Sequence, residues 1–253
     1  MINFVGAGPG ATDLITVRGM ELIKKAEVII YAGSLVNPAL LDYASKDAEV
    51  YDSSKMTLEE VLDVMIPAAS AGKEVVRLHT GDASIYGAIR EQMDELDKRG
   101  IAYATCPGVS AAFGAAASLD LEYTLPGISQ TLIITRMEGK TAVPEKEKIE
   151  SLAAHASSMA IYLSAGMLEE LSRRLINGGY GEDTPAAIVY KATWPEEKRI
   201  VCTLKTLAAE AAKENITKTA IVLVGDVIGK SGYERSKLYD PSFTTEFRKA
   251  KEP

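Results

Sequence analysis

Ile2-Asn3-Phe4-Val5-Gly6-Ala7-Gly8-Pro9-Gly10-Ala11 opens the chain, and the reading of the fold starts from it. Ile2–Val5 is a short apolar run that stops at a glycine cluster, the pattern of a buried strand entering a tight turn. Thr16–Ala26 follows as a helix, with Thr16 placed to cap it. Val28–Tyr31 predicts a second strand. Thr57–Ala71 carries Leu58, Val61, Leu62, Met65 and Ile66 on one helical face. Glu74–His79 is a strand, Ile85–Arg99 a helix stopped by Gly100, Ile101–Cys106 a strand and Ser110–Ser118 a small-residue helix. Such alternation implies parallel strands joined by right-handed crossovers.

Leu119 to Ile128, with Pro126 and Gly127, has the look of a linker. Strands then recur at Thr131–Thr135, Met159–Leu163, Ala186–Lys191, Arg199–Thr203 and Ala220–Asp226. Helices are expected near Lys146–His155, Met167–Asn177 and Thr206–Glu214. The short Ala192–Lys198 connection favours an antiparallel hairpin and hence a mixed sheet. The expected fold is α/β with two α/β domains, 1–120 and 121–253. The first carries a mostly parallel sheet and the second a mixed one, with a ligand cleft between them.

The chain has 253 residues, 25% charged and 47% hydrophobic, and a formal net charge of −7. That is ordinary globular composition, and the charge argues against a broad nucleic-acid surface. Local basic residues can still reverse the potential inside one cleft. The start lacks a signal-peptide pattern, and no apolar run approaches the roughly 20 residues that span a bilayer. A cytoplasmic protein is expected. Cys106 and Cys202 are far apart in sequence and fit two reduced thiols better than a disulfide or a metal cluster.

Three glycine-bearing turns follow strands. Gly6-Ala7-Gly8-Pro9-Gly10-Ala11 nominally fits the dinucleotide fingerprint G-x-G-x-x-(G/A). Against that reading, Pro9 lacks an N–H, the helix starts late, and strand two ends in Val28-Ile29-Ile30-Tyr31-Ala32 with no acid for a ribose. The second turn, His79-Thr80-Gly81-Asp82-Ala83-Ser84, lies where open α/β sheets bind ligands. Asp82 is either a ligand acceptor or the N-cap of the expected Ile85 helix, a role in which Asn would serve as well. Pro107-Gly108-Val109-Ser110-Ala111 is the third, with small side chains at a helix start. His79 and His155 are too isolated for a metal site and are expected to be satisfied packing residues; no metal site is expected.

The order Val5-Gly6-Ala7-Gly8-Pro9-Gly10, Gly81-Asp82, Pro107-Gly108-Val109-Ser110, Ala187-Ile188-Val189-Tyr190 and Thr219-Ala220-Ile221-Val222-Leu223-Val224-Gly225 resembles the tetrapyrrole (corrin/porphyrin) methylases. The likeness runs over about residues 1–230. Tyr31-Ala32-Gly33-Ser34-Leu35-Val36, Arg77-Leu78-His79-Thr80-Gly81-Asp82, Ser129–Thr141 and Tyr190-Lys191-Ala192-Thr193-Trp194-Pro195-Glu196 resemble the branch acting at C11 of precorrin-4 in cobalamin synthesis. Ala83 stands where the family commonly has proline.

The resemblance implies a homodimeric methyltransferase with S-adenosyl-L-methionine as cofactor and a tetrapyrrole as small-molecule substrate. It implies cofactor contacts at Pro9, Gly81, Asp82, Ile85, Ser110, Ala111, Leu163, Ala192 and Ala220. Gly8 and Ser34 would border the substrate. A negatively charged protein must receive the substrate's carboxylates by local charge, for which Arg77, Arg90, Arg136 and Lys191 are candidates. The proton acceptor is not readable from sequence. Rival readings are a sibling methylase acting at another ring position, a nicotinamide-dependent oxidoreductase and a non-catalytic tetrapyrrole carrier.

Overall fold

The computed structural model describes residues 1–251, which divide into two compact units. Residues 1–115 together with Lys191–Glu197 form the first; 116–190 and 198–251 belong to the second.

In the first unit, β1 (Ile2–Gly6), β2 (Val28–Tyr31), β3 (Glu49–Asp52), β4 (Val75–His79) and β5 (Tyr103–Cys106) make one sheet in the order β3-β2-β4-β1-β5. All its pairings are parallel. Helix α1 (Val17–Lys25) begins at Thr16, whose hydroxyl accepts the Gly19 N–H at 3.0 Å, as the sequence predicts. Helix α2 (Leu58–Ser70) begins with a capping box between Thr57 and Glu60, which satisfies two orphan donors at once.

Helix α1 packs Ile23 against Val5, Ile29, Val76 and Leu78 on one face of the sheet. On the other face α2 and α3 (Arg90–Asp97) pack Val61, Met65, Met93 and Leu96 against Phe4, Val28 and Ile30. Each such fully buried side chain contributes about 1.5–3 kcal/mol. The helices that follow the neighbouring strands β1 and β4 thus lie on opposite faces. The carboxyl ends of these two strands form a topological switch point, where open α/β sheets bind ligands.

Two local expectations differ. The helix expected from Ile85 starts only at Arg90, because Tyr86 and Ala88 hold φ values of +56° and +49°, outside the helical region. Strand β3 has no counterpart in the sequence reading: it is a short edge strand with polar ends.

The second unit contains β6 (Leu132–Arg136), β7 (Ser158–Tyr162), β8 (Pro185–Tyr190), β9 (Lys198–Thr203) and β10 (Ala220–Val224), ordered β6-β7-β10-β8-β9. Strands β6 and β7 are parallel; the other pairings, including the expected β8–β9 hairpin, are antiparallel. The sheet is therefore mixed. Helix α4 (Ala111–Ser118) crosses the division between the units, and α5 (Ile149–Ala153), α6 (Leu168–Gly178) and α7 (Leu207–Lys213) complete the second. Met159, Ile161, Leu171, Leu175, Ile188 and Val222 lie at its core. Among the described residues no helix is long and apolar enough to cross a membrane. Both cysteines are free thiols.

Candidate active site

The three glycine turns of the first unit meet at the carboxyl ends of β1, β4 and β5. Gly8 and Gly81 exchange backbone hydrogen bonds, Gly8 N–H to Gly81 O at 3.2 Å and Gly81 N–H to Gly8 O at 2.9 Å. The Ala7 N–H donates to His79 O at 2.7 Å. A Cβ on Gly6 would lie 2.6 Å from both Gly108 N and Gly81 O, and one on Gly108 would lie 2.2 Å from Gly81 O. Backbone therefore packs directly on backbone, and glycine is required at Gly6 and Gly108 for that reason.

Asp82 ties the turns together. Its Oδ2 accepts the Gly108 N–H at 2.8 Å, and its Oδ1 accepts the Ser84 N–H at 2.9 Å and the Ser84 hydroxyl at 2.5 Å. Burial pushes the carboxyl up, but the bonds from the Ser84 hydroxyl, the Gly108 N–H and the Ser84 N–H outweigh it and hold the group below its usual range. With no helix at Ile85, Asp82 caps none; it joins the second turn to the third.

The first turn is clamped by Lys191–Glu197. Trp194 Nε1 donates to Pro9 O at 3.1 Å, and the Ala11 N–H donates to Thr193 Oγ1 at 2.9 Å. The Trp194 ring covers Gly10, where a Cβ would come 2.0 Å from Cδ1. Asn37, which caps the 3-10 helix Pro38–Tyr43, donates to Gly10 O at 2.8 Å. The turn's N–H groups at Ala7, Gly8 and Ala11 are thus engaged and Pro9 has none. With these donors engaged the loop is poorly suited to cradle a pyrophosphate, which counts further against the dinucleotide reading.

The structure brings Pro9, Gly81, Asp82, Ser110 and Ala111 to this junction. Ala192 lies buried in the clamp segment, and Ile85 follows Asp82 in the irregular turn. Gly8 is buried within the clasp, whereas Ser34 is exposed beyond the end of β2. Leu163 and Ala220 belong to the second unit. There Val222 pairs with Ile161 antiparallel, so the residue after β7 and the first residue of β10 lie side by side at one end of the sheet. Leu163 is 62% exposed and left-handed, with a φ of +54°. Ser164 fixes its turn by donating to Tyr162 O and accepting the Met137 N–H.

The four basic candidates differ. Arg90 forms exposed ion pairs with Asp94 and Asp97 along α3. Arg136 donates to the carbonyls of Met137, Thr141 and Ala142. Lys191 lies 3.6 Å from Glu196 and 5.0 Å from the centroid of the Trp194 ring. Arg77 is buried and, among the described residues, bonds two neutral acceptors, Gln92 Oε1 and Ile30 O, both at 3.2 Å. In the second unit Glu138 pairs with Arg174, which also holds Glu150 through both carboxylate oxygens. The Ser129–Thr141 stretch thus contributes to the packing of that unit.

The sequence reading did not single out Asn37 or the Asp82–Gly108 tie. Their partners lie 27 and 26 residues away, with no local signature.

The junction fits a cationic sulfonium nucleoside better than an anion. A carboxylate offers about four lone-pair directions, and Asp82 uses three of them within the protein. One remains for a hydroxyl or ammonium donor beside the small residues Gly81, Ser110 and Ala111.

An all-parallel α/β unit with three clasped glycine turns, followed by a mixed-sheet α/β unit, defines the class of protein. Residues 1–208 match the profile of the Tetrapyrrole (Corrin/Porphyrin) Methylases, and the chain belongs to that family. A cobalt-precorrin-4 C(11)-methyltransferase of Methanocaldococcus jannaschii is 56% identical over 249 residues, covering 98% of this chain and 96% of its own. A solved cobalt precorrin-4 methyltransferase, a cobalamin biosynthetic enzyme, aligns with a TM-score of 0.88 and 44% identity over 90% of this chain and 95% of its own. Uroporphyrin-III C-methyltransferase from Thermus thermophilus, solved with S-adenosyl homocysteine, aligns with a TM-score of 0.75 and 25% identity over 91% of this chain and 99% of its own.

Proposed function

We propose that the chain is a methyltransferase that uses S-adenosyl-L-methionine to methylate C11 of precorrin-4 or its cobalt form in cobalamin biosynthesis. The observation that carries this is the 56% identity, over nearly the whole of both chains, to a relative named for that reaction. Supporting it are the clasped turns at the switch point and the Asp82 carboxylate beside a wall of small side chains.

S-adenosylmethionine supplies a methyl group on a sulfonium, which an electron-rich ring carbon can attack in line. The protein's part is positioning, for which well-oriented systems reach effective molarities of about 10⁵–10⁸ M. Asp82 fixes the second and third turns relative to each other, and Trp194 and Thr193 fix the first. In this reading Pro9, Gly81, Asp82, Ile85, Ser110, Ala111, Leu163, Ala192 and Ala220 contact the cofactor, while Gly8 and Ser34 border the tetrapyrrole.

The test is mass spectrometry of precorrin-4 and cobalt-precorrin-4 incubated with the protein and S-adenosylmethionine. One added methyl group, located at C11, is expected; which form turns over faster settles the metal content of the substrate. Methylation of uroporphyrinogen III alone would assign a sibling activity, and tetrapyrrole binding without turnover a carrier. We extend the proposal to a cytoplasmic homodimer. Support for dimerisation comes from Val201, 63% exposed on the edge strand β9, and light scattering in solution tests it.

A further inference from the structure

Asn37 stands between two buried anchors. Val36 and Leu40 are 2% and 1% exposed and pack in the same core as Val5 and Ala7, which flank the start of the first glycine turn. Between those anchors the Asn37 amide is bonded at both ends. Its Oδ1 accepts the Ala39 N–H at 3.0 Å, and its Nδ2 donates to Gly10 O at 2.8 Å. The Ala39 N–H can only donate and the Gly10 carbonyl can only accept, so one orientation of the amide serves both. Gly10 is itself buried, and a buried carbonyl left without a donor is costly.

The segment Ala32–Asn37 is tied at other points. The Gly33 N–H donates to Asp52 Oδ1 at 3.2 Å, and a Cβ on Gly33 would lie 2.3 Å from that oxygen. Thr80 Oγ1 donates to Leu35 O at 3.4 Å, which joins the segment to the second glycine turn. Asn37 joins it to the first. Gly10 is also the residue that the Trp194 ring covers, with the indole Nε1 bonded to Pro9 O. A shift at Gly10 is therefore felt at Trp194.

We propose that Asn37 is a positioning residue for methyl transfer. Through the Gly10 carbonyl it locks the turn that holds Gly8 and Pro9 to the segment that carries Ser34. The border of the tetrapyrrole and a contact to the cofactor then keep one fixed spacing. The proposal rests on the functional reading above for what these residues border. In-line displacement is sensitive to such spacing: a misplacement of about 1 Å can cost about 100-fold in rate.

Asn37→Asp separates the two roles of the amide. The carboxylate still accepts the Ala39 N–H, since Asp caps about as well as Asn. It has no proton for Gly10 O and faces that oxygen with a negative charge. Once protonated, the carboxyl regains both functions, one oxygen accepting and the hydroxyl donating. Its place against a carbonyl in a half-buried site raises its pKa above the ordinary value of about 3.9, so mild acid restores the bond.

The full-length wild type, Asn37→Asp and Asn37→Ser are compared from about pH 8 down to about pH 5. Trp194, the single tryptophan, reports the turn in the protein alone. The kcat for methylation of cobalt-precorrin-4 with S-adenosylmethionine reports its use. The charged groups on the surrounding elements are Asp13, Asp42, Lys191, Glu196 and Glu197, with those of α1. They titrate in the wild type as well, so each pH is read as variant against wild type. At neutral pH Asn37→Asp should show red-shifted emission and a kcat lower by about tenfold or more. Both should return toward wild type in acid. Asn37→Ser keeps a capping hydroxyl but has no amide to reach Gly10 O, and should show the same losses without recovery. Wild-type emission or wild-type kcat in Asn37→Asp at neutral pH overturns the proposal. So does a loss that acid does not reverse while far-ultraviolet circular dichroism shows the fold intact. If Asn37→Asp does not fold, Asn37→Ser decides, and wild-type emission or kcat there overturns it. A wild type that transfers no methyl group would sink the proposed activity, while the emission series still decides whether Asn37 holds the turn.

Discussion

The carboxylate of Asp82 reaches across to the next turn and accepts the backbone N–H of Gly108 at 2.8 Å, while its other oxygen holds Ser84. Two turns that are 26 residues apart in the chain are thereby fixed by one side chain. Asn would be a neutral replacement in a helix cap. Here it leaves one oxygen where two are needed, and its amide cannot accept the Gly108 N–H. Asp82→Asn should lower stability by about 1.5–3 kcal/mol and weaken S-adenosylhomocysteine binding. Thermal unfolding and calorimetry check both. Because the folded carboxyl is held below its unfolded value, the contribution is present above the unfolded pKa and is lost as pH falls through the folded one. Unchanged melting in the Asn variant would assign the tie no energetic weight.

His79 makes acid stability testable. Burial, and secondarily the charge of Arg77, pulls its folded pKa down to about 3, below the ordinary 6.5. Between those values the unfolded chain binds a proton that the folded one does not. Stability should therefore fall as pH drops through that window, by up to about 1.4 kcal/mol per pH unit from this group. His79→Gln should flatten the slope. Chemical denaturation at a series of pH values measures it; equal slopes in both proteins would mean that the buried imidazole protonates in place.

Gly10 is where the aromatic clamp closes. A methyl group there would collide with Trp194 and come 2.8 Å from Ala192 O. Gly10→Ala should cost about 1–3 kcal/mol by overpacking and lift the indole off Pro9 O. Trp194 is the single tryptophan, so its fluorescence reports this without ambiguity. The expected sign is a red-shifted emission; an unshifted spectrum would show that the segment yields without opening.

Arg174 joins two acidic side chains in the second unit. Its side chain is 11% exposed and pairs with both Glu138 and Glu150. Arg174→Met removes the shared partner of two partly exposed carboxylates and leaves Lys148 as the cation nearby; with solvent screening, the loss should cost about 1–3 kcal/mol. Replacing all three by apolar residues should be far milder. A urea series on the single and triple variants separates the two outcomes.

The strands and most helices of both units were legible because burial imposes period 2 or period 3.6 on the residues that must face a core. Thr16 declared the start of α1 in the same local way. The edge strand Glu49–Asp52 gave no such signal, since its Glu49 and Asp52 carry charge at both ends. The stretch 85–89 has helical spacing, but its backbone is set by contacts with Ala83 that no local pattern encodes. The glycine turns were legible as strand ends but not as a clasp. His79 was expected to be a satisfied core histidine, and its unpartnered Nε2 emerges only when all the neighbours are in place.

The clamp on the glycine loop comes from very far along the chain. Thr193 meets Ala11 across 182 residues and Trp194 meets Pro9 across 185. Closing a loop of that length has an entropic cost that is met before the contact contributes anything in return, and contacts of such range form slowly. We expect the loop that borders the site to be among the last parts of the protein to order during refolding. On a ribosome it would wait, strand already made, until more than two-thirds of the polypeptide had emerged. Refolding followed by Trp194 fluorescence should lag the far-ultraviolet signal of the helices, and coincident traces would refute that order.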